Sequence, residues 1–274
     1  MPIVAELTSE HIKAAKHLGC KKFIVAITQM DPDFDQQTFE TRRNEIVELL
    51  KECSAYSQDI PFVPVSGWTG ENLVEACDKL SWYRDGSLWL VLTKLARVDE
   101  LGAFAEEFMM PVQGVSKISG VGTVVCGRIE SGTLRVGMRV RFAPGSVTSE
   151  VKAIKRYQQD VNVAFAGDTI GFAAKNVSTR DIEKGSVAWD ANNSRVASAA
   201  IESFTADLLV IKKDVKSGMK PILYSHSLFT EVTIESILSR AKLNCNESGL
   251  VKIVPKKAIC LLSDHARLGS FILV

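Results

Sequence analysis

The chain reads as α/β plus all-β: a partial doubly wound domain over residues 1–106, then two β domains at about 107–193 and 196–274. Three observations carry this. Helical and strand-like periods alternate through the first third, yet they supply only two strands, half of what a doubly wound domain needs. From about residue 107 the texture changes to short alternating runs with glycine at intervals of roughly 8–12 residues, as in sandwiches and barrels. Between the two β regions, WDANNSRVASAA is a polar stretch ending in small residues, which places a boundary near residue 195.

Taken in order, SEHIKAAKHLGC is expected to start a helix at an Ser9 N-cap, to share Ile12, Ala15 and Leu18 along one face, and to stop at Gly19. KKFIVAI is a β-branched run that suits a strand buried on both faces. TFETRRNEIVELLKEC carries Phe39, Ile46, Leu49, Leu50 and Cys53 at helical spacing, and PFVPVSG is a second buried strand. ENLVEACDKL and SLWLVLTKLARV have the spacing of further helices. Among the β runs, RVRFAP sets Val140 and Phe142 opposite Arg139 and Arg141, and SFTADLLVIK aligns Phe204, Ala206, Leu208 and Val210. KISGVGT is glycine-rich but leads into a strand rather than a helix, so it reads as a hairpin turn and not a phosphate cradle.

With 274 residues, 46% of them hydrophobic, the chain can bury several small cores. Lys and Arg number 33 against 32 Asp and Glu, and a net charge of +1 excludes a global field toward nucleic acid or anionic lipid. Local basic patches stay open: Lys152, Lys155, Arg156 and Tyr157 suit either phosphate contact or a solvated strand face. The six cysteines are far apart, without a Cys-x-x-Cys pair or a histidine at ligand spacing, so buried free thiols in a reducing compartment are expected, and no metal. No apolar stretch reaches membrane-spanning length and no signal-like segment opens the chain. A cytoplasmic protein without a membrane partner is the expectation, in which Asn176-Val177-Ser178 carries no meaning.

The chemistry turns on FIVAITQMDPDFD, residues 23–35. A guanine-nucleotide site places Asn-Lys-x-Asp after a strand, where the Asp carboxylate accepts from the guanine ring donors and the Lys stem covers the base. Here Thr28-Gln29-Met30-Asp31 stands in that place, with the Asp present and the Asn and Lys replaced. Phosphates would be held by a Gly-x-x-x-x-Gly-Lys-Ser/Thr loop, and the 274 residues contain no Gly-Lys dipeptide. The tetrapeptide Asp99-Glu100-Leu101-Gly102 fits a loose Asp-x-x-Gly pattern but lies downstream of the loop it should precede, which marks it as a chance match.

PFVPVSGWTGENL, DKLSWYRDGSL, KISGVGTVVCGRIESGTLRVGMRVRFAP, AGDTIGFAAKNVSTRDIEKGSVA and HARLGSF, in this order, resemble the translation elongation factor 1-alpha family, of elongation factor Tu type. TSEHIKAAKHLGCKKFIVAITQMD is similar to that family's segment leading into the base-reading loop. The resemblance implies a partial GTPase-like domain followed by two β-barrel domains, the last one shortened, and a chain that begins after the phosphate loop and the switch regions. It makes Asp31, Ser66, Gly67 and Trp68 the remnant of a nucleotide site from which Thr28 and Gln29 depart. It places Arg128, Glu130, Gly167 and Asp168, with Lys152, Lys155 and Arg156, on a surface for the aminoacylated end of tRNA or another partner. His226 matches a barrel-strand histidine and reads as a satisfied one. Neither GTP nor magnesium is expected as a cofactor.

Half a doubly wound sheet has a bare edge, and bare edges recruit other chains. The expected function is therefore a catalytically inactive, structural or binding subunit of a larger assembly that covers the half-domain. The intact family binds actin and microtubules, which makes a cytoskeletal or ciliary setting the natural one. The alternative is translational: a split, truncated or incompletely represented elongation factor that engages aminoacyl-tRNA and the ribosome, with GTP only if a front half is supplied.

Overall fold

Two three-residue strands in parallel organise the first part of the chain. The computed structural model describes residues 6–20, 22–95, 107–192, 200–238, 240–262 and 266–274. Met1–Asp99 and Glu100–Val274 are separate compact units. In the first, helix α1 (Glu6–His17), strand β1 (Val25–Ile27), helix α2 (Gln36–Glu52), strand β2 (Phe62–Pro64) and helix α3 (Leu88–Leu95) follow in the expected order. Val25 lies opposite Phe62 and Ile27 opposite Pro64. The shared core holds Ile27, Met30, Phe34, Phe39, Leu50, Ile60, Phe62 and Leu80, with the rings of Phe39, Trp82 and Tyr83 in mutual contact at 5.1–6.1 Å. Each such buried side chain contributes about 1.5–3 kcal/mol.

The local expectations divide. Gly19 ends α1 at φ +87°, which lets the Gly19 N–H reach Lys16 O and the Cys20 N–H reach Ala15 O, both at 3.0 Å. Ser9 is not the N-cap: it sits inside the helix, which already runs from Glu6, and its hydroxyl faces Cys53 Sγ at 3.5 Å. Glu6 and Leu7 are good helix formers and carry the helix past it. β2 is wholly buried, but β1 is not buried on both faces, since Ala26 on the face opposite Val25 and Ile27 is exposed. ENLVEACDKL forms turns instead of a helix. Asn72 is buried there at φ +59°, donates from Nδ2 to Pro64 O at 2.8 Å and accepts the Leu88 N–H, so the chain is tied to β2 and α3 rather than coiled on itself. α3 keeps the start of its expected helix, capped by Ser87 Oγ on the Leu90 N–H; Asp99-Glu100-Leu101-Gly102 lies outside the described residues.

The second unit begins with strands β3 (Met109–Ile118), β4 (Gly122–Arg128), β5 (Thr133–Arg135), β6 (Arg139–Ala143), β7 (Thr148–Arg156), β8 (Gln159–Val161), β9 (Val163–Phe165), β10 (Thr169–Ala174) and β11 (Val187–Asp190). The order β10-β4-β3-β11-β6-β7 closes on itself through a β10–β7 pairing, giving a six-stranded barrel with β8 appended to β7. KISGVGT is the β3–β4 hairpin, with Ile118 opposite Gly122. Alternation fills the interior with Val112, Val125, Val140, Phe142, Val151, Ile154 and Phe172, and the rings of Phe142 and Phe172 stack at 6.3 Å. Arg139 and Arg141 face outward as the pattern required.

Next come β12 (Phe204–Leu209), β13 (Val215–Lys216), β14 (Ile222–Ser225), β15 (Leu228–Ile237), β16 (Lys242–Leu243), β17 (Ser248–Pro255), a short helix α4 (Ala266–Gly269) and β18 (Ile272–Leu273). Their main sheet, β12-β17-β15-β14-β18, is a half-barrel over Leu223, Val232, Ile234, Val251 and Ile253. Phe204, Ala206 and Leu208 turn inward together, as aligned. The boundary near residue 195 falls within 193–199, outside the described residues.

Barrel and half-barrel are welded. Ala143, Val187 and Trp189 bury against Cys260 and Leu268, Ser227 Oγ donates to Val112 O at 2.7 Å, and Lys257 pairs with Glu183. Gly185, at φ +91°, lies so close that a Cβ would stand 2.8 Å from Leu228 Cα. His226 is not in a strand but in the β14–β15 turn at this junction, at φ +41°. Its ring lies in the junction, with Nδ1 3.3 Å from Ser227 Oγ and the Cys260 backbone also in hydrogen-bond reach. Burial holds its pKa below the usual histidine value, against smaller upward pulls from the Cys260 backbone and the Glu130 carboxylate. A folded pKa below the unfolded 6.5 means that its contribution to stability is present above that value and is lost as pH falls through the lowered one. Thermal melts should therefore weaken between about pH 7 and about pH 5, and His226→Gln, which carries no titrating ring, should flatten that slope.

Candidate functional site

Parallel strands leave their following loops side by side, and in this class of sheet ligands bind outside the carboxyl ends of the strands. The loop after β1 carries Thr28, Gln29, Met30 and Asp31; the loop after β2 carries Ser66, Gly67 and Trp68. The ladder joins them, because the Val65 N–H bonds Ile27 O at 2.9 Å and the Met30 N–H bonds Val65 O at 3.4 Å. Met30 and Phe34 are buried as anchors of the first loop, and the Phe34 N–H returns to Met30 O. Ser66 is fully buried, its Oγ accepting the Thr69 N–H at 3.1 Å, while Trp68 is 92% exposed at the loop tip.

Asp31 is half-buried and close enough to Glu71 for the two carboxylates to repel. Glu71 is nonetheless held below the usual carboxylate range, first by the Lys79 ammonium at 2.7 Å and then by the Thr69 hydroxyl at 2.8 Å. The two loops thus present one half-buried carboxylate beside an ion-paired one.

Sequence reasoning missed Arg42. From α2 its Nη1 donates to Thr28 O at 2.9 Å and to Gln29 O at 3.3 Å, so one guanidinium clamps the two positions that depart from the base-reading pattern. Gln29 is held there at φ +58°. The signal was available: Phe39 and Ile46 stand at i−3 and i+4 from Arg42, so the helical period already placed this charge on the inward face. A cavity of about 670 Å³ in the same unit, lined by Arg43, Ile60, Phe62, Trp82, Tyr83 and Lys94, opens toward the start of β2, the opposite end from Asp31 and Ser66.

In the barrel, Arg128, Glu130, Gly167 and Asp168 come together. The Gly167 N–H donates to Ile129 O at 2.8 Å, Arg128 Nε donates to Gly167 O at 3.3 Å, and Gly167 turns at φ +94°. Asp168 closes the turn by accepting the Phe165 N–H at 3.0 Å and Arg156 Nη1 at 3.2 Å. Gly127 lets β3 and β4 approach, since a Cβ would stand 2.3 Å from Pro111 O. The basic group does not act as one patch: Arg156 is committed to Asp168, Lys155 lies 3.7 Å from Asp160, and Lys152 is exposed on β7. Tyr157 is exposed at the tip of the β7–β8 hairpin.

All six cysteines are free, but only Cys53 and Cys260 are buried, whereas Cys20 and Cys245 are exposed. Burial pushes the Cys260 thiol up to about 12. Among the described residues no group of His, Cys, Asp or Glu could hold a metal ion, and no helix is long and apolar enough to cross a membrane.

A parallel α/β unit with paired loops at its strand ends, followed in the chain by a β-barrel and half-barrel, defines a multidomain protein of α/β-plus-β-barrel class. Residues 4–101 match the elongation factor Tu GTP binding domain and residues 122–188 match elongation factor Tu domain 2. The chain belongs to the elongation factor Tu and elongation factor 1-alpha family. It is 32% identical to the oocyte form of elongation factor 1-alpha from Xenopus laevis over 96% of its own length, and 34% identical to elongation factor 1-alpha from Entamoeba histolytica over 93%. It spans 63% and 60% of those two proteins. Sup35 complexed with GDP has the same fold, with a TM-score of 0.57 at 21% identity, covering 97% of this chain and 69% of that one.

If Arg42 is the clamp on the first loop, Arg42→Met should speed amide exchange at Met30 and Phe34 by about tenfold or more, leaving exchange in the barrel unchanged, as read by hydrogen–deuterium exchange.

Proposed function

We propose that this family member works by binding partners rather than by hydrolysing GTP. The observation that carries the reading is the clamped loop: Arg42 holds the backbone of Thr28 and Gln29 where the family pattern has Asn and Lys, and the remaining Asp31 has the Glu71 carboxylate beside it. A carboxylate alone supplies a small part of nucleotide affinity, which rests on charge-assisted contacts to phosphate. The 274 residues offer no Gly-Lys dipeptide for that purpose. GTP and magnesium are then not cofactors of this chain.

The partner-facing surface is the first unit. Among the described residues β1 pairs with β2 alone, and α3 exposes apolar side chains. A protein assembly that covers this half-domain is the proposed setting, cytoplasmic, with actin or microtubules as the components that the family resemblance suggests. Titration of the full chain with fluorescent GTP and GDP analogues should give no saturable signal at micromolar concentration; saturation there would refute the reading.

A second reading rests on the Arg128–Gly167–Asp168 turn, which sits beside the exposed ring of Phe165. This surface suits the aminoacylated end of tRNA and would return the chain to translation alongside the ribosome. In that case aminoacyl-tRNA binds with steep salt dependence and Arg128→Ala weakens it by about tenfold. If the assembly reading holds, tRNA binding stays at the non-specific level and Arg128→Ala leaves it unchanged.

A further inference from the structure

Helix α3 is apolar nearly all round: of its sequence LWLVLTKL only Thr93 and Lys94 are polar. Such helices are ordinarily buried on every side. Here Val91 is buried, with Leu88 and Leu95 partly so, against Val63 and Val65. At about 100° per residue the remaining arc runs Leu92, Trp89, Thr93, Leu90 across the outer half of the helix. Trp89 is 60% exposed, Leu90 44% and Leu92 43%. Thr93 does not break the arc chemically, since its hydroxyl turns back to Leu90 O at 2.9 Å. Val74, 67% exposed, extends the surface at the helix start, where its carbonyl accepts from Ser87 Oγ and the Trp89 N–H bonds Leu73 O.

We propose that this face is a self-association surface on which a second copy of the chain packs its own α3 antiparallel about a two-fold axis. Three observations select a copy of the chain as the occupant. The exposed side chains of Val74, Trp89, Leu90 and Leu92 present on the order of 400 Å² per copy, about half of what each partner buries in a standard interface, the usual share of an apolar centre inside a polar rim. The patch has opposite charges at its two ends, with Glu75 following Val74 at the N-terminal shoulder and Lys94 in the last turn. Antiparallel packing sets each Lys94 against the Glu75 of the other copy, the self-complementarity that an isologous contact requires. At a net charge of +1, two copies carry no long-range repulsion to overcome. The proposal does not depend on whether the chain binds nucleotide or tRNA.

The test is sedimentation velocity of the full chain across micromolar concentrations. The wild type should convert from monomer to dimer with rising concentration, and Leu92→Asp should weaken that association by about tenfold or more. Lys94→Glu alone should also weaken it, and the exchange Lys94→Glu with Glu75→Lys should restore it. Both residues of that pair are exposed, so the exchange is read on folded protein, checked by circular dichroism. A monomer at every concentration would overturn the proposal. So would a dimer indifferent to Leu92→Asp and to the charge exchange, because its contact would lie elsewhere.

Discussion

The parallel register of Val25–Ile27 on Phe62–Pro64 is the constraint on which the first unit depends. Two short strands make few hydrogen bonds, so their pairing holds only because α2, the Phe39–Trp82–Tyr83 cluster and the Asn72 tether enclose them. The same register sets the site. Once the Val65 N–H bonds Ile27 O, the loops that follow have no choice but to lie together, and Asp31 and Ser66 meet at one end of the sheet. A one-residue slip would turn Ile27 out of the core and separate them.

Within that frame, family membership and the particular residues pull apart. The backbone keeps the place of a base-reading loop, but its Thr28 and Gln29 carbonyls are taken up by Arg42 from α2. One guanidinium nitrogen, Nη1, serves both carbonyls, while the buried Nε meets no hydrogen-bond partner among the described residues, so displacing the group would leave a half-buried charge with still fewer partners. The loop is therefore a stable structural element in its own right, whatever its relatives do with the corresponding one.

The barrel and half-barrel show the opposite economy. Several of their charges are paired with one another: Arg156 with Asp168, Lys175 with Glu150, Lys252 with Glu235, Lys257 with Glu183. Exposed ion pairs of this kind contribute little stability each. In the first unit, by contrast, α3 exposes Trp89, Leu90 and Leu92 together. Binding by shape and apolar contact is thus better provided for in the first unit than binding by charge is in the second.

Much of the fold was legible because its signals are local. Alternation in RVRFAP and SFTADLLVIK, the Gly19 stop and the KISGVGT hairpin each follow from side-chain geometry within a few residues. Asp31 and Ser66 were expected together from the resemblance of the segments around them, and the ladder sets their loops side by side. What failed were features that a distant contact overrides. ENLVEACDKL has helical spacing, but the Asn72 amide is worth more on Pro64 O than in a helix turn. Ser9 looks like a cap only if the helix starts with it, and His226 looks like a strand residue only if the tight turn between β14 and β15 is overlooked. Sequence by itself determined the class of fold and the family. Only tertiary structure decided that Arg42 clamps that loop, that Gly185 and Ser227 weld barrel to half-barrel, and that α3 keeps an apolar face in water, because each depends on which distant atoms share a few ångströms of space.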